Sequence, residues 1–403
     1  VTIGCPDCGA LAQIPPLPPR STAICPTCRG HLEKTTGRSI DAALACSLAT
    51  LLLLIPANVL PLIQVDVFVM TTQNTIGEGI ADLWSQHWVL ISACTALFVI
   101  VFPLVFFGLL TLVLGCLRLG YRPDWLPAAF RWALWLELWA MSDVFLLASF
   151  VGYYRLINLA AAQVFIGFGG ACFMAAGFLT MISRNALDRR TVWRALGPEA
   201  DVPPGVDVVS CTTCDLIHPF SCEGRPCRRC GARLRARKTD ATIRTAALVA
   251  TGFILFIPAN LLPMNTSMQL GTRQSYTIFT GVRDLFQAGL WPLGILVFCT
   301  SIAIPFGKLC ALAWCVQSVW RHSTARLVQK TQVFRLVAEL GRWSKTDPFT
   351  IVFFVPLVHF GGLASSSAGW GATGFMAMSV LTMFASTTFD PRLMWDVAGV
   401  RPP

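Results

Sequence analysis

Apolar residues in this chain gather into long unbroken runs. Leu44–Ile63, Val89–Leu117, Leu134–Tyr154 and Ala160–Ile182 occupy the first half, and Ala246–Met264, Leu290–Trp320, Phe349–Leu363 and Phe375–Phe389 the second. A helix needs ~20 apolar residues to cross a bilayer, and most of these runs reach that length. The last two are shorter and are extended by small and charged neighbours. Eight membrane spans are predicted. After the first run of each half the period changes to two. Val65, Val67 and Val69 alternate with Asp66 and Phe68, and Met268 and Leu270 alternate around Gln269. A small β-hairpin is expected in each half, with Gly271-Thr272-Arg273-Gln274 as the second turn, then a short helix around Asp82–His87 and Val282–Gln287. The first apolar run begins only at Leu44, after a cysteine-rich segment, an order unlike that of a cleaved leader.

The pattern repeats itself. Ile55-Pro-Ala-Asn-Val-Leu-Pro61 is answered by Ile257-Pro-Ala-Asn-Leu-Leu-Pro263, an offset of 202 residues; Asp82-Leu83 is answered by Asp284-Leu285, Pro103 by Pro305, and Glu137-Leu138 by Glu339-Leu340. About two extra residues then precede Asp347. An even number of spans per half makes this a parallel repeat. The elements Pro56, Asn58, Pro61 and Pro258, Asn260, Pro263 close the first helix of each half, because proline removes a donor and frees carbonyls. The two asparagines are expected to satisfy such carbonyls.

Composition adds weight to this reading: 55% of the 403 residues are hydrophobic and only 13% charged, about half the charged share of a soluble domain. The net charge of +10 would suit nucleic acid, but its distribution argues for topology. With a cytoplasmic N-terminus, eight spans leave only Arg155, Arg273 and Arg283 on the far side; the clusters at 20–38, 118–131, 184–244, 321–345 and 392–401 all fall in the cytoplasm. No nucleic-acid partner is expected.

Two pairs of CxxC knuckles carry the clearest chemistry: Cys5, Cys8, Cys25 and Cys28, then Cys211, Cys214, Cys227 and Cys230. Four thiolates from two knuckles meet the tetrahedral demand of a closed structural zinc site, and the reducing cytoplasm disfavours disulfides. Two zinc ions are expected, with iron in a rubredoxin-like site as the alternative. His31, His218 and Cys222 read as bystanders, and the cysteines in or beside apolar runs as packing residues.

Lys308 falls deep in the run Leu290–Trp320, where the first half carries Phe106. An ionisable group there is costly unless paired or hydrated, and Asp347 is its natural partner. Glu339, His359, Ser301 and Thr387 are further polar candidates; Glu137 and Asp143 are the first-half carboxylates, with no lysine facing them. Such a set reads as a relay or substrate pathway, the alternative being a buried ion pair that fixes helix register. No Walker loop, GxSxG elbow or HExxH is present, and no enzymatic activity is expected.

The sequence thus predicts an all-α polytopic membrane protein of two tandem repeats. Each is a cytoplasmic zinc ribbon (1–38 and 191–240) plus a four-helix membrane domain (39–190 and 241–403) with an extracytoplasmic β-hairpin. Twin CxxC modules followed by Ile-Pro-Ala-Asn-x-Leu-Pro, together with Pro305-Phe-Gly-Lys308 and Asp347-Pro348, resemble the paraquat-inducible protein A family of Gram-negative inner-membrane proteins. That resemblance implies a membrane-anchored partner with mammalian-cell-entry (MCE) domains that forms a periplasmic tunnel, and phospholipid or another membrane lipid loaded or unloaded at its inner end. It further implies that Lys308, Asp347, His359, Ser301 and Thr387 form a network coupling proton movement to lipid transfer. A zinc-ribbon scaffold or a thiolate-metal redox protein are the readings from other classes.

Overall fold

The computed structural model describes residues 2–15, 17–18, 20–35, 37, 40–67, 70–157, 162–197, 208–269, 272–287, 289–340, 349 and 364–399. The first ribbon is two small hairpins, β1 (Thr2–Gly4) with β2 (Leu11–Gln13) and β3 (Thr22–Ile24) with β4 (His31–Lys34). Helix α1 (Ile40–Val59) follows and ends just before Pro61, which offers no donor to the last turn. The chain then forms β5 (Ile63–Val67) and β6 (Met70–Asn74), in register from Ile63 against Asn74 to Val67 against Met70. Helix α2 (Ile76–Ser85) starts in a capping box: Thr75 Oγ1 accepts from Glu78 N, and Glu78 Oε2 accepts from Thr75 N.

The second span is one apolar rod of three pieces, α3 (Val89–Thr95), a π-helical stretch Ala96–Val101 and α4 (Phe102–Arg118). The third is broken into α5 (Leu126–Glu137) and α6 (Ser142–Ile157). Strand β7 (Ala162–Ile166) leads into α7 (Phe168–Ala186) and then α8 (Arg189–Leu196). Helix α8 runs across the domain boundary expected at residue 190 and buries Val192 and Trp193 against the first membrane half.

The second unit repeats this order. Its ribbon carries β8 (Val208–Ser210) and β9 (Ile217–Pro219), followed by α9 (Ala241–Leu261), β10 (Asn265–Gln269), β11 (Thr272–Tyr276) and α10 (Ile278–Gln287). Its second span is α11 (Trp291–Phe298), a π-helical stretch Cys299–Ala303 and α12 (Ile304–Trp320). Helix α13 (Leu327–Leu340), β12 (Ala364–Ala368), α14 (Trp370–Thr388) and a short helix Arg392–Val397 complete it. Among the described residues five helices are long and apolar enough to cross a membrane: Ile40–Val59, Val89–Arg118, Leu126–Tyr153, Ala241–Leu261 and Trp291–Trp320. The runs expected as the fourth and eighth spans fall largely on the helices α7 and α14, which are not among these five, and the expected seventh, apart from Phe349, lies outside the described residues.

Each expected hairpin is present and gains a strand. β7 pairs with β5, and β12 with β10, so each half closes in a three-stranded antiparallel sheet. The second turn differs from expectation: β11 already begins at Thr272, in register with Gln269, so Thr272–Gln274 belong to a strand.

Glycines make the contact between the first and fourth spans. The end of α1 presents bare carbonyls, and Gly167 N donates to Leu62 O at 2.9 Å; Gly369 N donates to Met264 O at the same distance. A Cβ on Gly169 would lie 2.8 Å from Pro61 O, and one on Gly371 equally close to Pro263 O. One buried core joins the two halves toward the sheets, with Phe145 against Phe349 and Phe173. Trp88 against Trp370 and Trp139 against Phe384 extend the seam.

Candidate functional site

The eight knuckle cysteines form two buried tetrads, in each of which all four sulfurs lie within 4.8 Å of one another. Cross-knuckle Sγ···Sγ distances are 3.5 and 3.6 Å in both. A disulfide needs about 2.05 Å. Four sulfurs about 2.3 Å from a tetrahedral zinc ion stand about 3.8 Å apart, so the donor set fits a tetrahedral thiolate-loving metal. All four knuckles have the same backbone closure: Cys5 N donates to Ala10 O, Cys25 N to Gly30 O, Cys211 N to Leu216 O and Cys227 N to Ala232 O. The left-handed residue that permits it is Gly9, Arg29, Asp215 or Gly231.

Hydrogen bonds from Cys5 and Cys8, with the Arg335 charge beside them, hold the Cys28 thiol down to about 2; the bond to Cys28 pushes Cys5 up to about 12. His218 stands outside the tetrad but touches it. It is buried, with Nε2 3.3 Å from Cys227 Sγ. Cys222 and His31 stand outside the tetrads.

Within the membrane-spanning segments, proline creates the second feature. Pro103 has no N–H, so in the π register the Phe98 carbonyl loses its intrahelical donor. Met141 N, at the break in the third span, supplies one instead at 3.0 Å. Pro305 stands at the same place after the second π stretch. π-bulges and broken spans of this kind recur where substrates bind.

Arg184, in the last turn of α7, fills the break. It pairs with Asp143 at the start of α6 and donates to Ala140 O at 2.9 Å, capping carbonyls that the break exposes. Arg189 donates to both carboxylate oxygens of Glu137, at 2.8 and 2.9 Å. The first-half carboxylates therefore face arginines, where the sequence showed only the lack of a lysine. By sequence Arg184 and Arg189 fall in the basic cluster 184–244 that reads as a topology signal; the signal for the pairs is two cations ending the fourth span opposite two carboxylates in the third.

A cleft of about 420 Å³ opens between α6 and α7. Leu62, Ile63 and Ile166 border its sheet-side end, Phe150, Phe173 and Phe178 its walls, and Asp143 is the carboxylate in its lining. The volume lies in the range of small-molecule sites.

In the second half, Lys308 and Ser301 are both buried, two turns apart on one face of the second span. Among the described residues Lys308 has no ion pair. Glu339 is exposed, in contrast to its counterpart Glu137. Thr387 is half-buried in the last turn of α14; its hydroxyl bonds Phe384 O, and its carbonyl accepts from Lys238 Nζ at 2.6 Å. Asp347 and His359 lie outside the described residues. Asn58 Nδ2 donates back to Leu54 O at 2.6 Å, and Asn260 Nδ2 to Phe256 O at 2.8 Å, each doubling a bond at the end of its own helix.

Comparison with known proteins agrees over nearly the full length. The chain is 29% identical over 401 residues to the intermembrane transport protein PqiA of Escherichia coli K12, covering 97% of this chain and 95% of that protein. It is 27% identical over 393 residues to the lipophilic envelope-spanning tunnel protein A of the same organism, covering 97% and 90%. To a probable intermembrane transport protein of Haemophilus influenzae it is 25% identical over 405 residues, covering 98% and 95%. No solved structure matches. The profile of the paraquat-inducible protein A family matches residues 40–197 and 243–398, both membrane halves, and the chain belongs to that family.

Proposed function

We propose that this protein is the inner-membrane subunit of an intermembrane lipid transport system, passing phospholipid between the bilayer and a tunnel built by a membrane-anchored MCE-domain partner. The cleft between α6 and α7 carries this reading: an apolar wall beside exposed aromatic residues, ending on the Asp143–Arg184 pair, suits an acyl chain that enters from the bilayer and leaves at the sheet side. The names of the relatives, intermembrane transport protein and envelope-spanning tunnel protein, support the class of cargo and the setting. The ribbons, with zinc in each tetrad, face the cytoplasm, a reading that the distribution of Lys and Arg supports, and the three-stranded sheets face the periplasm and the partner. Lys308, with Ser301 on its face and Asp347 and His359 in the segment that follows, is the proton-linked element of the second half.

The test is a photoreactive residue at Phe150 or Met174 in membranes, with mass spectrometry of the adduct. More phospholipid adduct at the cleft positions than at a lipid-facing control such as Ile254, which reads the bilayer background, supports loading through the cleft. Equal labelling at all three would overturn it.

A further inference from the structure

The two ribbons sit crosswise on the membrane halves. The first tetrad shares a buried cluster with Leu312, Phe334, Phe389 and Trp395 of the second half. The second tetrad shares one with Phe106, Phe130, Val192 and Trp193 of the first. At each junction an arginine of the third span reaches the ribbon. Arg335 on α13 donates to Asp7 at 2.6 Å, to Cys28 Sγ at 2.9 Å and to Cys28 O at 3.4 Å. Arg131 on α5 donates to Cys230 O at 3.0 Å. Cys28 and Cys230 are the same, last position of the tetrad, and Arg335 lies two residues beyond the position that the 202-residue offset gives for Arg131. Gly30 leaves room for the contact, since a Cβ there would lie 2.7 Å from Arg335 Cζ.

The opposite flank of each ribbon is tied to the membrane half that follows it in the chain, with charges reversed. Glu33 accepts from Arg194 at 3.0 Å and stands 3.6 Å from Arg190, whereas Arg237 donates to both oxygens of Asp396, at 2.5 and 2.7 Å. Exchanging the ribbons would set Glu33 against Asp396 and Arg237 against Arg194, so like charges exclude the wrong seating.

We propose that each metal-loaded ribbon staples the two halves together, with Arg131 and Arg335 as the positioning residues through which a tetrad holds the opposite half's third span. The bound metal gathers the thiolates and fixes the knuckle whose carbonyl the arginine grips. Six residues beyond Arg131, about 9 Å along the helix, Glu137 ends α5 at the break that Arg184 fills. The second ribbon thereby sets the inner end of the cleft, and the first does the same for α13.

Hydrogen exchange with mass spectrometry on the full chain in nanodiscs tests the crossing, with metal content measured alongside. Cys25→Ser should lose one of two metal equivalents and raise exchange in 327–340, leaving 126–137 unchanged; Cys227→Ser should do the reverse. Arg335→Ala should keep both metals yet raise exchange in 327–340 roughly tenfold, the loss of one good hydrogen bond. Gly30→Ala, a milder change, should act in the same direction should the cysteine variants fail to fold. Exchange rising only in the half that follows the altered ribbon, or unchanged in Arg335→Ala and Gly30→Ala alike, would overturn the staple.

Discussion

Replacing Arg184 by Met should destabilise the first membrane half by about 3–5 kcal/mol, the usual cost of removing one partner of a buried ion pair. The structure supports the upper part of that range. The Asp143 side chain is 4% exposed and that of Arg184 14%, so solvent screens the pair little. Arg184 also holds the Ala140 carbonyl at 2.9 Å in a break where no helical donor serves it. Methionine keeps the volume of the stem but leaves both a carboxylate and that carbonyl without the guanidinium. The melting temperature in detergent should fall by on the order of 10 °C for a unit of this size. Asp143→Leu alone should also lower it, because the guanidinium is then stranded. Together, Arg184→Met and Asp143→Leu should recover much of the loss, since an apolar pair avoids the desolvation of both charges. What remains lost measures the carbonyl cap. Arg184→Lys separates the terms further, because an ammonium on a flexible stem cannot fork between carboxylate and carbonyl. A single Arg184→Met melting within about a degree of the parent would refute the reasoning, as would a double variant melting as low as the sum of the two singles.

Other expectations follow from the same geometry. Gly169→Ala and Gly371→Ala should each cost several kcal/mol, visible as lost expression, because the new Cβ meets backbone oxygen that has nowhere to go. Pro103→Ala should be neutral or mildly stabilising yet reduce transport, since a restored N–H competes with Met141 N for the Phe98 carbonyl; unchanged lipid transfer in vesicles would count against a role for the break. Although burial works against it, the hydrogen bond and charge of Arg392 hold the Asp390 carboxyl below the usual carboxylate range. A depressed folded-state value adds stability that is full above the unfolded value of about 3.9 and is lost as pH falls through the folded one. The melting difference between the parent and Asp390→Asn should therefore be constant near neutral pH and shrink below about pH 4. A membrane-permeant chelator should remove two metal equivalents per chain by elemental analysis, and less readily at high pH, where thiolates compete better with the chelator.

Much of this molecule was readable along the chain. Eight cysteines at CxxC spacing in two copies, prolines at the helix ends and apolar runs are local signals, and the structure returns the tetrads and the repeat they announced. The pairing of Arg184 with Asp143 was not readable in the same way, because a basic residue at the end of a span is equally well a topology signal. Residues forty positions apart meet only after the third span breaks, and that break has no proline or glycine to announce it: Leu138-Trp139-Ala140-Met141 reads as helix. It forms because the Phe98 carbonyl, orphaned by Pro103 in another span, offers Met141 N a better partner. The third strands escaped for a related reason. Ala162–Ile166 and Ala364–Ala368 are too short and too apolar or small to alternate, and become strands only because β5 and β10 present an open edge. The crossing of the ribbons is wholly a matter of packing between distant parts.

The two halves have kept one scaffold and moved its cation. In the first, the charge is Arg184 on the fourth span, already engaged by Asp143; its equivalent in the second half is Ser386. In the second, the charge is Lys308 on the second span, buried and without an ion pair among the described residues; its equivalent in the first half is Phe106. An arginine forked between a carboxylate and a backbone carbonyl stays charged and locks a break in place. A lysine is a compact charge on a flexible stem and forms no such fork. On the proposed function, the first half is the fixed one that shapes a cleft and the second is the one that carries the proton, the cation having moved from the fourth span to the second.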